Sequence, residues 1–222
     1  MINGIVFDMD GLMFDTENLA IQAWVYAGGR TGRSVTPELV RQTIGLDAAR
    51  TKEVFMRRLG ADLDFAALRQ LKLDFMEDSI RRNGVPVKPG LLDLLRYLKD
   101  MRLRTAVATS TEAARALFYL EQAGIAGFLD GVVCGDAVEK GKPAPDIYRK
   151  ACEKIGLAPA ECLALEDSPI GILSAYRAGM RPVFIPDLLE ASDDIVSIPF
   201  VRLRSLSDVI PLLEKHADGA SV

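Results

Sequence analysis

Short, continuously apolar segments that alternate with amphipathic ones predict an α/β fold. Its core is a parallel sheet with helices on both faces, and an all-helical unit is inserted into it. Two observations shape that reading. Several of the apolar segments stop at acidic or hydroxylated residues, and a long interval without a strand pattern separates the first segment from the second.

The first segment, Ile2–Phe7, is β-branched at its centre and ends at Asp8, as a buried strand does. Comparable strands are expected at Thr105–Thr109, Gly131–Cys134, Cys162–Leu165 and Pro182–Ile185, with a weaker one at Phe200–Leu203. Helical periodicity falls between them. Gly90–Lys99 sets Leu91, Leu94, Leu95 and Leu98 on one face. Glu112–Ala123, Asp146–Ile155 and Pro169–Ala178 are followed by Gly124, Gly156 and Gly179, the residue type suited to a left-handed helix cap. Strand and helix in alternation give a Rossmann-like core.

The interval after the first strand is far longer than the dozen or so residues one crossover needs. It holds helix-like patterns at Leu19–Ala27, Ala48–Leu59 and Phe65–Arg82, with Gly28–Pro37 reading as a loop. Asn83-Gly84-Val85-Pro86 is turn-rich and suits a hinge. The expected division is therefore a catalytic core of residues 1–14 and 86–222 and a helical cap of residues 15–85.

Composition narrows the classes of function. Of 222 residues, 49% are apolar, enough for a substantial core. The net charge of -4 gives no electrostatic case for nucleic acid or for an anionic membrane. Cys134, Cys152 and Cys162 are odd in number and lack metal-ligand spacing, so they read as reduced and buried. The N-terminal residues MINGIVFDMDG carry neither a signal peptide nor a membrane span. A cytoplasmic monomer acting on a small molecule is expected. The only histidine, His216, lies in a polar C-terminal stretch, so carboxylates must do any proton work.

Ligands of open parallel sheets bind beyond the carboxyl ends of the strands. The residues gathered there are Asp8, Asp10, Thr109, Ser110, Glu166 and Asp167, with Lys142 in the loop after the third strand. Asp8 and Asp10, two apart in an extended segment, point the same way with Cα atoms roughly 6–7 Å apart. Gly11 permits an abrupt turn that exposes backbone N–H groups to an anion. One carboxylate can attack phosphorus, and the other can give a proton to the leaving oxygen and later take one from water. Taken alone, D-x-D-G is more often a solvated turn.

An anion attacking an anion needs a cation to offset the repulsion. Glu166-Asp167 supplies carboxylates suited to magnesium, with Asp8 and Asp167 the natural ligands. Asp167 and Ser168 also suit the cap of the following helix, which leaves Glu166 unexplained. Lys142, held between prolines in GKPAPD, offers a compact positive charge for phosphate. Thr109-Ser110 offers hydroxyl and backbone donors to phosphate oxygens, or an ordinary helix cap.

In order and placement these motifs resemble the haloacid dehalogenase-like hydrolase superfamily. DMDG is similar to its nucleophile motif, VATS to its second, GKPAPD to its lysine motif and LEDS to its metal motif. The resemblance implies Asp8 as nucleophile, Asp10 as general acid and base, and phosphate contacts from Thr109, Ser110 and Lys142. It implies Mg2+ held by Asp8, the Asp10 backbone carbonyl, Asp167 and the neighbouring acid Glu166. The inserted unit resembles the small cap of the phosphatase and β-phosphoglucomutase branch. An aspartyl-phosphate hydrolysed by water follows.

Asp10, Glu166 and Asp167 favour phosphoryl transfer over carbon–halogen cleavage, which needs neither a leaving-group acid nor a metal. The mutase branch has a histidine where this chain has Ala20, and cap cations that Thr43–Ala48 lacks. The expected activity is a phosphatase acting on a sugar phosphate or similar metabolite. The alternatives are a phosphomutase and a non-catalytic phosphate-binding regulator. Met13, Phe14, Trp24, Asp47 and Arg50 are candidates for substrate contact, with Trp24 more simply read as packing.

Overall fold

A computed structural model describes residues 2–46 and 48–217. The chain divides into two compact units, Met1–Phe14 with Val87–Val222, and Asp15–Pro86. Pro86 falls with the helical unit because its carbonyl accepts from the Asp15 N–H at 2.8 Å. One residue outward in each direction, Phe14 and Val87 pair as an antiparallel bridge.

The larger unit is built on six strands: β1 (Gly4–Phe7), β2 (Arg104–Ala108), β3 (Gly131–Val133), β4 (Cys162–Glu166), β5 (Arg181–Phe184) and β6 (Val201–Arg202). Every pairing is parallel, and the order is β3-β2-β1-β4-β5-β6. The chain winds outward from β1 to β3, then returns to β4 on the other side. Strand order reverses beside β1, which is where such sheets open a crevice for ligands. β1 and β4 are buried along their whole length, which explains their unbroken apolar character.

Five helices of this unit follow the strands: α5 (Leu91–Asp100), α6 (Ala113–Gln122), α7 (Asp146–Lys154), α8 (Pro169–Ala178) and α10 (Val209–Ala217), with the single turn α9 (Asp193–Val196) before β6. They are numbered after four helices of the inserted unit: α1 (Thr16–Arg30), α2 (Pro37–Arg41), α3 (Ala48–Leu59) and α4 (Phe65–Asn83). The faces of α7 and α8 bury Ile147, Tyr148, Ala151, Cys152 and Ala175 against Val6, Ala106 and Ala164 of the sheet. All three cysteines are buried and unbridged.

Three elements depart from expectation. α1 runs through Gly28 and Gly29, which read as loop. Gly28 lies within the helix, and it is glycine because Val35 and the Arg33 carbonyl leave no room for a side chain. α2 starts on a Thr36 cap with Pro37 in its first turn, a signal that sits inside the expected loop. The C-terminal stretch is helical as α10, where Pro211 in the first turn costs no hydrogen bond.

The inserted unit packs Trp24 of α1 against Phe55 of α3 and Phe65 of α4, with ring centroids 4.7 and 5.8 Å away. Trp24 is thus part of that unit's own core, and Lys72 lies over its ring. Arg50 is exposed, and Asp47 lies outside the described residues. Met13 and Phe14 are fully buried, the latter edge-on to Tyr119. Among the described residues no helix is long and apolar enough to cross a membrane.

Candidate active site

Register explains why the site forms. Phe7 pairs with Val107 on one side and Leu165 on the other. The next residue of each strand is therefore Asp8, Ala108 and Glu166, side by side at the carboxyl end of the sheet. Lys142 closes over these three. Its Nζ donates to Asp8 Oδ1 at 2.5 Å, to the Ala108 carbonyl at 3.0 Å and to Glu166 Oε1 at 2.7 Å. An ammonium has three N–H donors, and each finds one acceptor.

The loop that carries Lys142 is pinned to α8. Ser174 Oγ donates to the Ala144 carbonyl at 2.5 Å, and Arg177 donates to the Pro143 carbonyl at 3.2 Å. The Lys142 side chain is only 4% exposed, so it is a fixed charge rather than a mobile surface lysine.

Glu166 is completely buried and has both oxygens engaged. Oε1 accepts from Lys142 and from the Tyr148 hydroxyl at 2.6 Å. Oε2 accepts from Ser168 Oγ at 3.0 Å and from its N–H at 3.3 Å. Ser168, rather than Asp167, caps α8, accepting from the Gly171 N–H at 3.1 Å. That frees Asp167 from the capping role and leaves it buried beside Asp8.

The turn after β1 places Asp10. Met13 and Phe14 N–H groups donate to the Met9 carbonyl at 3.0 and 3.1 Å, and Gly11 N–H donates to Phe14 at 2.8 Å. Asp10 Oδ2 accepts from Thr111 Oγ1 at 2.7 Å and from Thr109 Oγ1 at 3.3 Å. Ser110 is exposed at the same strand end. Neither Thr109 nor Ser110 caps α6, whose cap position is Glu112; the Ala113 N–H is met by Asp136 instead.

Electrostatics follow from burial. Loss of solvent pushes the Asp8 carboxyl up to about 8, against the pull of Lys142 and with help from Glu166 and Asp10. Burial alone would lower the Lys142 ammonium, but Asp8 and Glu166 outweigh it and raise it above its ordinary value. Tyr148 is pushed well above the usual phenol range by burial and by the neighbouring acids, so it stays a donor. One fixed ammonium thus faces an excess of carboxylates. Asp8, Glu166 and Asp167 each offer an oxygen within 4.8 Å of the others, an all-oxygen set that fits a hard divalent cation.

Two participants were not legible in the motifs: Thr111 and Tyr148. Tyr148 is the third residue of α7, just after GKPAPD, and Thr111 directly follows VATS. Both lie one or two residues beyond the segment that the motif reading covered.

A model of haloacid dehalogenase-like hydrolases matches residues 2–179. Fructose-1-phosphate phosphatase YqaB from Escherichia coli is 31% identical over 81% of this chain and 94% of its own. The crystal structure of CbbY from Rhodobacter sphaeroides in complex with xylulose-(1,5)bisphosphate is 26% identical, with a TM-score of 0.80 over 94% of this chain and 96% of that one. A crystal structure titled "putative beta-phosphoglucomutase from Thermotoga maritima" is 25% identical, with a TM-score of 0.81 over 96% of this chain and 99% of that one. This chain belongs to the haloacid dehalogenase-like hydrolase family, in its phosphatase branch. It is an enzyme of the phosphoric monoester hydrolase class.

Proposed function

We propose that the protein hydrolyses a small phosphomonoester, a sugar phosphate or similar metabolite, through a phosphorylated Asp8. The observation that carries this is the convergence of Asp8, Lys142 and Asp167 at the ends of β1 and β4. Asp8 attacks phosphorus as the ester bond breaks, and Asp10 gives its proton to the leaving oxygen. Asp10 then takes a proton from the water that releases phosphate from Asp8.

Asp8 and Asp167 would hold Mg2+, with Glu166 set behind them as the anchor of Lys142 and Tyr148. When bound, such a cation returns Asp8 to its carboxylate form and offsets the repulsion between nucleophile and phosphate. Lys142 is suited to meet the phosphate oxygens as well as Asp8. Ser110 is proposed to contact phosphate from the end of β2, and Thr109 to turn its one hydroxyl hydrogen from Asp10 to phosphate when substrate binds, which leaves Thr111 on Asp10. The inserted helical unit is proposed to choose the leaving group.

The sugar-phosphate reading draws support from the named substrate of the Escherichia coli relative and the ligand of CbbY. A phosphomutase reading draws on the Thermotoga maritima neighbour, and Ala20 weighs against it. The test is turnover of a panel of phosphorylated metabolites and of an aryl phosphate, with Mg2+ and then with a chelator. Magnesium-dependent release of phosphate is expected, and Asp8→Asn should abolish it while leaving the fold intact. A folded protein inert toward the whole panel refutes the proposal. With β-glucose 1-phosphate, conversion to glucose 6-phosphate in place of free phosphate would establish the mutase.

A further inference from the structure

We propose that Thr111 is a positioning residue for Asp10, fixing the carboxyl group in the orientation from which it serves the leaving oxygen. This rests on the phosphatase reading above and goes beyond it by assigning a residue outside the four motifs.

The geometry is specific. Thr111 Oγ1 donates to Asp10 Oδ2 at 2.7 Å, a shorter bond than the 3.3 Å one from Thr109 Oγ1. The two threonines are also linked to each other. The Thr111 N–H donates to Thr109 Oγ1 at 3.0 Å, which directs the Thr109 hydrogen onward to Asp10. The Thr111 backbone is itself tethered, because its carbonyl accepts from the Gly135 N–H at 3.0 Å in the loop after β3. The hydroxyl that meets Asp10 is therefore held by two neighbouring strand ends, β2 and β3.

Two hydroxyl donors converging on Oδ2 fix the plane of the Asp10 carboxyl group. In the first step the Asp8–phosphorus bond forms and the phosphorus–oxygen ester bond breaks. The departing oxygen keeps that bond's electron pair and takes the Asp10 proton. In the second step water gives a proton to Asp10 as its oxygen bonds phosphorus and the Asp8 bond breaks. Both transfers need the carboxyl plane held, and proton delivery within hydrogen-bond reach is what gives general acid catalysis its rate.

The dependence on a proton differs with the leaving group. An alkoxide needs it, and a dinitrophenolate does not. The experiment compares kcat/KM of the Mg2+-loaded enzyme for two substrates: the best sugar phosphate of the wild-type panel and dinitrophenyl phosphate. Thr111→Val keeps the shape of the side chain and removes the hydroxyl. It should lower kcat/KM for the sugar phosphate at least about ten-fold while changing dinitrophenyl phosphate less than about two-fold. Thr111→Ser should restore most of the loss, and Asp10→Asn should show the same selectivity more strongly. Thr111→Ala serves if the valine variant does not fold, as judged by thermal melting. Equal losses on both substrates, no loss on either, or a serine variant as poor as valine would overturn the assignment. Wild-type enzyme inert toward every sugar phosphate would instead sink the phosphatase reading itself.

Discussion

Gly11 and Asp167 compete for one small volume: a Cβ built on Gly11 would fall against the Asp167 carboxylate. Gly11 also has a φ of 89°, a conformation that glycine adopts without strain. The turn after β1 therefore admits only glycine, for two independent reasons, and one of them is the placement of an acid proposed to hold metal. Gly11→Ala is expected to cost about 1–3 kcal/mol of stability from backbone strain. It should also weaken Mg2+ binding about ten-fold or more by displacing Asp167. Thermal melting of chelator-treated protein against added Mg2+ reads both effects.

Lys142 answers to three acceptors at once. Lys142→Met would leave Glu166 buried without its counter-charge and Asp8 without its donor, and a loss of about 3–5 kcal/mol is expected in denaturant titrations. Lys142→Arg should fail to rescue turnover, because a planar guanidinium cannot direct its donors to Asp8, Ala108 and Glu166 as an ammonium does. Recovery of near wild-type activity by the arginine variant would contradict this account.

Tyr148 holds Glu166 from the α7 side. Tyr148→Phe keeps the ring, which packs in the core and lies with its centroid 5.0 Å from Lys142 Nζ. The variant removes one of the donors to a buried carboxylate oxygen, so about 1–3 kcal/mol of stability should be lost. Since Glu166 is assigned to anchoring rather than to metal, the affinity for Mg2+ should change little. A large fall in that affinity, measured by calorimetry, would return Glu166 to the ligand set.

The acidity of Asp8 predicts how metal-free protein responds to pH. Its native value, raised to about 8, lies above the ordinary value of 3.8. Across that window the folded protein keeps a proton that the unfolded chain has released, so Asp8 makes stability fall as pH rises. The melting temperature without Mg2+ should decline toward about pH 8, and Asp8→Asn should flatten that decline. Mg2+ should stabilise most at the upper end, where it replaces the proton. An identical slope in wild type and variant would show that Asp8 is not the group responsible.

Much of the core was legible because its signals are local. Buried parallel strands such as Cys162–Glu166 are continuous apolar runs, and Gly124, Gly156 and Gly179 mark helix ends through their left-handed backbone. α5 ends differently, with Arg102 at a φ of 57°, so no glycine announces it. The motif residues were legible because strand ends in this topology converge on one edge. Hydrogen-bond partners were not. Thr111 reaches Asp10, and Tyr148 reaches Glu166, across distances in sequence that only the sheet register closes. Gly28 misled because glycine marks both a turn and a tight packing contact, and the neighbour that decides between them, Val35, is brought close only by the fold.

The bridge between Phe14 and Val87, with the Asp15–Pro86 hydrogen bond beside it, has a consequence for how the chain finds its fold. β1 and β2 are sheet neighbours separated by the whole inserted unit, and a flexible loop of that length would carry a closure cost in entropy. The helices of the insert pack on one another and return the chain to within one hydrogen bond of where it left. Once they have done so, β1 meets β2 as though joined by a short turn. Shortening or exchanging the insert therefore leaves the pairing of the central strands unaltered, provided its two ends still meet.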